Sequence, residues 1–152
     1  MGLACACALA DRGQLLLVDV DEGQLEEARS MLSARGATVE TLLCDVTSPA
    51  DVAAVADLVH AWGAKGGRVV TISPGLIDTA MGRLELERQP IIPEMIELTP
   101  VKRSEGPLPG RTDDIAALVA FLESDGAAFI SGCDIRVDGG LVGAARDLLG
   151  GG

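Results

Sequence analysis

The chain has 152 residues, a formal net charge of −11 and 48% hydrophobic residues. With a mean hydropathy of +0.33 it is too apolar to be disordered, and it is long enough for one domain with a real core. The acidity and the 2% aromatic content exclude a basic phosphate-binding stripe and an aromatic stacking platform, so no nucleic-acid partner is expected.

Residues 1–13 are apolar but lack a basic leader, and Asp11 and Arg12 interrupt them. They read as a short Ala-rich helix ended by Gly13, not as a signal peptide or a membrane span. The cytoplasm is therefore the expected location, and no membrane partner is expected. Residues 15–18 are a continuous apolar run, read as a buried strand ending at Asp19. Residues 22–35 are helical, with Leu25, Ala28, Met31 and Leu32 on one face and Gly36 as the stop. Thr38–Leu43 is a second strand and leads to Asp45 and Val46. Ser48, Pro49 and Asp51 then start a helix that runs to about residue 60.

A Gly-rich turn over 62–67 precedes a β-branched strand that stops at Pro74 and Gly75. Residues 82–98 read as two short helices broken at Pro90 and Pro93, and 99–110 as a loop. Thr112 caps a helix over 113–123. A last strand over 134–137 ends at Asp138, Gly139 and Gly140, and the Gly-rich tail 141–152 reads as frayed. The alternation predicts an α/β fold: a Rossmann-like parallel sheet of about four strands, right-handed crossovers, and helices on both faces.

Ligands bind such sheets at the carboxyl ends of the strands. Asp19 stands at one such end. Its carboxylate suits both ribose hydroxyls of an adenosine and would repel a 2′-phosphate, which favours NAD over NADP; as a turn or cap residue it is equally well explained. Asp45 and Val46 fit an adenine edge, or an Asx turn leading into the Ser48 cap. Gly2 opens the first helix, where a pyrophosphate would meet unpaired N–H groups. The cysteines Cys5, Cys7, Cys44 and Cys133 contain no CxxC pair and read as small buried apolar residues, so no metal site is expected. His60 reads as a helix boundary residue, and no side chain qualifies as a catalytic residue.

Four stretches in register carry a family resemblance. GLACACALADRGQLLLVDVDEGQLEEA is similar to the segment after the TGxxxGIG loop of short-chain dehydrogenase/reductases. LLCDVTSPADVAAV resembles that family's strand 3, RVVTISPGLIDTAM its strand 6, and GRTDDIAALVAFLESDGAAFISGCDIRVDGG its closing helix and strand 7. The resemblance implies that Asp19 sets an NAD preference, and that Asp45 and Val46 flank adenine. It implies that Pro74, Gly75, Ile77 and Thr79 line the nicotinamide, with 82–110 as the substrate lid. The single domain 1–152 then divides into an adenosine-side half (1–61), the strand and Pro-Gly loop (62–81), the lid, the closing helix and strand (111–140) and the tail. The lid's Met81, Leu84, Leu86, Ile91, Ile92, Met95 and Ile96 fit an apolar substrate, or packing on the sheet.

The family's chemistry uses a Ser and a Tyr-x-x-x-Lys, and this chain has no tyrosine. The family strands 1, 4 and 5 and the phosphate loop also have no counterpart, leaving 3-2-6-7 as a possible strand order. The resemblance therefore implies an NAD-dependent oxidoreductase of small-molecule alcohols or ketones whose chain, alone, is inactive. The alternatives are a non-catalytic scaffold that associates with intact subunits of that family or with itself, and a weak adenosine-nucleotide binder.

Overall fold

The computed structural model describes residues 1–45, 47–51, 53 and 67–148. Their elements in chain order are α1 (Gly2–Leu9), β1 (Gln14–Asp19), α2 (Glu22–Ala34), β2 (Thr38–Leu43), β3 (Val70–Pro74), α3 (Ala80–Arg88), α4 (Ile92–Leu98), α5 (Thr112–Glu123), β4 (Cys133–Val137) and α6 (Leu141–Leu148). They fall into two units, one of Gly2–Val70 with Val119–Cys133, the other of Thr71–Leu118 with Asp134–Gly152 and Met1. The predicted α/β class is what they form. The strands make two two-stranded sheets, β1-β2 and β3-β4. In the family's numbering these are the expected pairs 3-2 and 6-7.

In the unit that begins at Gly2, β1 and β2 run parallel, from Gln14 opposite Thr38 to Asp19 opposite Leu43. Asp21 caps α2 by accepting the Gln24 N–H at 3.0 Å. At the other end the N–H groups of Arg35, Gly36 and Ala37 return to the carbonyls of Leu32 and Ser33, and Gly36 takes φ +91°, a turn that a side chain would strain. Ala6 of α1 and Leu32 of α2, which is 0% exposed, form one cluster with Leu15, Leu17 and Val39. Burying a leucine side chain fully stabilises by roughly 1.5–3 kcal/mol. Both helices thus cover one face of the sheet. The expectation that 15–18 is buried on both faces is corrected, because Leu16 and Val18 on the other face remain 38% and 40% exposed. The helix expected over 51–60 lies almost wholly outside the described residues, as does His60. Met31 is also exposed rather than inward. Of the four cysteines Cys44 is buried, Cys5 and Cys7 are half-buried, and Cys133 is exposed, so the uniformly buried reading does not hold.

In the unit that contains the Pro-Gly loop, β3 meets β4 through the Gly75 N–H on the Val137 carbonyl at 2.9 Å and the Ser73 hydroxyl on Asp134 at 2.7 Å. A parallel bridge joins Ile77 to Gly110. Ile77, Ile92, Leu108, Ile115, Ala116 and Leu141 are buried apolar residues of this unit. Pro93 sits in the first turn of α4, where its missing N–H costs nothing, so it starts a helix instead of breaking one. Helix α5 begins one residue early, with Thr112 inside it and the Asp114 carboxylate accepting the Arg111 N–H. The tail is a second correction. Residues Leu141–Leu148 are helical, and Leu141 is 6% exposed. No helix among the described residues is long and apolar enough to cross a membrane.

Candidate functional site

Asp19 and Asp45 come together because β1 and β2 are parallel neighbours whose carboxyl ends coincide; the Cys44 N–H bonds the Asp19 carbonyl at 2.9 Å. The Asp19 Oδ1 accepts the Val20 and Asp21 N–H groups at 2.8 and 3.1 Å. Its Oδ2 has no hydrogen bond among the described residues, so one carboxylate oxygen of an exposed aspartate is left to accept. Asp45 is used locally. Its Oδ1 accepts both the N–H and the hydroxyl of Thr47, and its own N–H goes to Asp51. The Thr47 hydrogen bonds hold the Asp45 carboxyl below its ordinary pKa. This is the Asx turn and cap that the sequence offered as the alternative to an adenine contact. Val46 lies outside the described residues. Gly2 is the first residue of α1, exposed, with open space where a Cβ would be.

Pro74, Gly75, Ile77 and Thr79 form one continuous turn from β3 into α3. Gly75, Ile77 and Thr79 have structural roles as well. Gly75 abuts Asp138, with 2.6 Å from the place of a Cβ to the Asp138 Cα. Ile77 is 6% exposed. Thr79 is the extended residue before α3, and its hydroxyl accepts the Gly82 N–H at 3.0 Å. As an acceptor in this cap the hydroxyl keeps its own proton to donate. Between them Asp78 accepts both Arg83 Nε at 2.6 Å and its Nη2 at 3.0 Å. The Arg83 guanidinium holds the Asp78 carboxyl below the usual carboxylate range. This pins the turn in shape.

Next to that turn, in the same unit, lies a cavity of about 570 Å³. Of the expected site residues only Ile77 lines it. Arg103, Asp114, Arg136 and Asp138 also line it, and sequence reasoning assigned none of them a role. The available signal was Asp138, which stands three residues before the apolar pair Leu141-Val142 and so reads as a helix cap. Its two oxygens accept the Gly140 and Val142 N–H groups, both at 2.9 Å. Burial pushes this carboxyl up, but those hydrogen bonds and the Arg136 charge prevail and hold it below its ordinary pKa. No cluster of metal-ligating side chains occurs among the described residues.

Residues 58–142 match the family model described as Enoyl-(Acyl carrier protein) reductase. A short-chain dehydrogenase/reductase of Alternaria brassicicola is 33% identical over 90 residues, 58% of this chain and 31% of that protein. The 3-alpha-hydroxysteroid dehydrogenase/carbonyl reductase of Comamonas testosteroni is 29% identical over 141 residues, 91% of this chain and 52% of that protein. The chain thus spans between a third and a half of the length of these relatives. Among solved structures, the 7 alpha-hydroxysteroid dehydrogenase complexed with NADH and 7-oxo glycochenodeoxycholic acid has a TM-score of 0.68 at 17% identity, over 91% of this chain and 89% of that one. The matched region covers more than half of the sequence, carries the Pro-Gly turn and the VDGG strand end described above, and shows that the chain belongs to the short-chain dehydrogenase/reductase family.

Proposed function

We propose that this chain carries the NAD-binding residues of a short-chain dehydrogenase/reductase acting on small-molecule alcohols or ketones, without the side chains that move the proton. The observation that carries this reading is the presence of Asp19, whose Oδ2 no described residue engages, in a sequence that has no tyrosine. Residues and cofactor fit at the ribose: an ionised acceptor at a strand end suits two hydroxyls and disfavours a phosphate beside them. The Pro74–Thr79 turn, numbered 74–79, would face the nicotinamide, with the Thr79 proton as a donor. When bound, the nicotinamide gives or takes the hydride. The chain's own part is to bind and orient. A general acid needs a titratable group near the reacting oxygen, and neither the 74–79 turn nor Asp19 and Asp45 supply one that is not already engaged or committed to ribose.

The names of the relatives support the alcohol or ketone class, since one of them is a hydroxysteroid dehydrogenase and carbonyl reductase. A cytoplasmic location belongs to the same reading. The test is an assay of the full chain with NADH and a panel of ketones, alone and with an intact family member added. No ketone-dependent NADH oxidation by the chain alone is expected. Turnover by the purified chain would contradict the proposal.

One observation favours a scaffold reading as well. Both phenylalanines are exposed, Phe121 by 48% and Phe129 completely. Aromatic residues are enriched in association surfaces relative to the rest of a protein surface. Co-expression with an intact family subunit, followed by size-exclusion chromatography, tests it: a stable mixed oligomer supports this role, and separate elution contradicts it.

A further inference from the structure

The cavity beside Ile77 has a chemistry that the dinucleotide reading does not use. Pro74, Gly75 and Thr79 do not line it, and its volume of about 570 Å³ lies in the range of small-molecule sites. Its lining is mostly apolar, from Leu76, Ile77, Val101, Pro109 and Val137. The shape depends on backbone contact: the Val101 N–H bonds the Gly139 carbonyl at 3.0 Å, and a Cβ on Gly139 would stand 2.6 Å from the Val101 oxygen.

The polar groups on its wall can be taken one at a time. The Thr99 hydroxyl is buried and donates to the Met95 carbonyl at 2.8 Å. Asp138 has both oxygens engaged by backbone N–H groups. Asp114 forms an ion pair with Arg103 Nε through one oxygen at 2.8 Å and accepts the Arg111 N–H on the other at 2.9 Å. That leaves the Arg136 guanidinium, which makes no ion pair and no side-chain hydrogen bond among the described residues. Each Asp114 and Asp138 oxygen already has one partner, while the Arg136 guanidinium is a fork of donors beside a mostly apolar lining. The Arg136 charge acts on Asp138 but forms no close ion pair with it among the described residues, so its donors remain open in a chain of net charge −11. A guanidinium fork matches a planar carboxylate in a bidentate pair.

We propose that this cavity binds an apolar carboxylate of fatty-acid type, the hydrocarbon against Ile77, Val101 and Pro109 and the carboxylate on Arg136. The cavity shares Ile77 with the turn proposed to face the nicotinamide, but its test uses no cofactor and can fail without touching that reading. Decanoate, 1-decanol and acetate are titrated calorimetrically into the full chain and into the Arg136→Gln and Ala117→Phe variants. Arg136 and Ala117 are both exposed, so both variants are expected to keep the wild-type circular dichroism spectrum. The expected result is one saturable decanoate site, weakened about tenfold or more in Arg136→Gln, a step of about 1.4 kcal/mol. Ala117→Phe, which fills the chamber with a side chain, should abolish it, and neither 1-decanol nor acetate should match decanoate. Absence of saturable decanoate binding to the wild-type chain would overturn the proposal. So would undiminished binding by Arg136→Gln, or 1-decanol binding as tightly as decanoate.

Discussion

Gly75 and Asp138 stand in backbone contact: a Cβ on the glycine would lie 2.6 Å from the Asp138 Cα and 2.8 Å from its Cβ. Because the obstacle is backbone and not the end of a flexible side chain, β3 and β4 would have to move apart. Gly75→Ala should therefore destabilise the chain by about 1–3 kcal/mol, the usual cost of overpacking, read as a lower urea midpoint at unchanged slope. The glycine in the Pro-Gly turn is thus explained by packing before any cofactor is considered.

Asp138 itself ties the strand end to α6. Replacing it with alanine removes the acceptor of two N–H groups, and a lost cap of this kind costs about 0.5–2 kcal/mol. The pH dependence follows from its lowered folded pKa. Its stabilisation is fully present above the unfolded value of about 3.9 and is lost as the pH falls through the folded value below that. Thermal melts should show wild type and Asp138→Ala apart at neutral pH and converging in strong acid.

Arg68 makes the other test of stability. Its guanidinium donates to the carbonyls of Leu122, Ala127 and Ile130, closing the turn after α5 in the unit that begins at Gly2. A lysine has a point charge on a flexible stem and cannot span three carbonyls as a fork. Arg68→Lys should cost about 2–3 kcal/mol, since charged hydrogen bonds are lost and carbonyls are left unpaired. Chemical denaturation of the two proteins checks it.

Much of the fold was legible because its signals are local. The Gly36 stop and the Pro74-Gly75 strand end each lie within a few residues of the feature they control, whereas the α2 cap falls on Asp21 and not on Asp19, the residue offered for it. The tail was misread because α6 depends on Asp138, which comes before it, and on burial of Leu141, which its glycines hide. Leu16 and Val18 were misread for a similar reason. A continuous apolar run says that a strand can be buried on both faces, but only packing shows which faces are covered. Within the site, the Asx turn at Asp45 was one of two readings the sequence offered, whereas the cap made by Thr79 was not visible. Asp45 is engaged by Thr47, and the Thr79 hydroxyl serves the Gly82 N–H, three residues on. Arg136 was passed over because nothing in the sequence around it shows that it borders a cavity.

The central claim, that this chain keeps an NAD-selective binding residue at Asp19, is tested most directly by calorimetric titration of the full chain with NADH and NADPH. NADH should bind saturably with a Kd in the millimolar range, about −4 kcal/mol, and NADPH about tenfold more weakly. Asp19→Asn should erase that difference by removing the charge that repels the 2′-phosphate. NADPH binding as tightly as NADH to the wild-type chain, or no saturable binding of either, would contradict it.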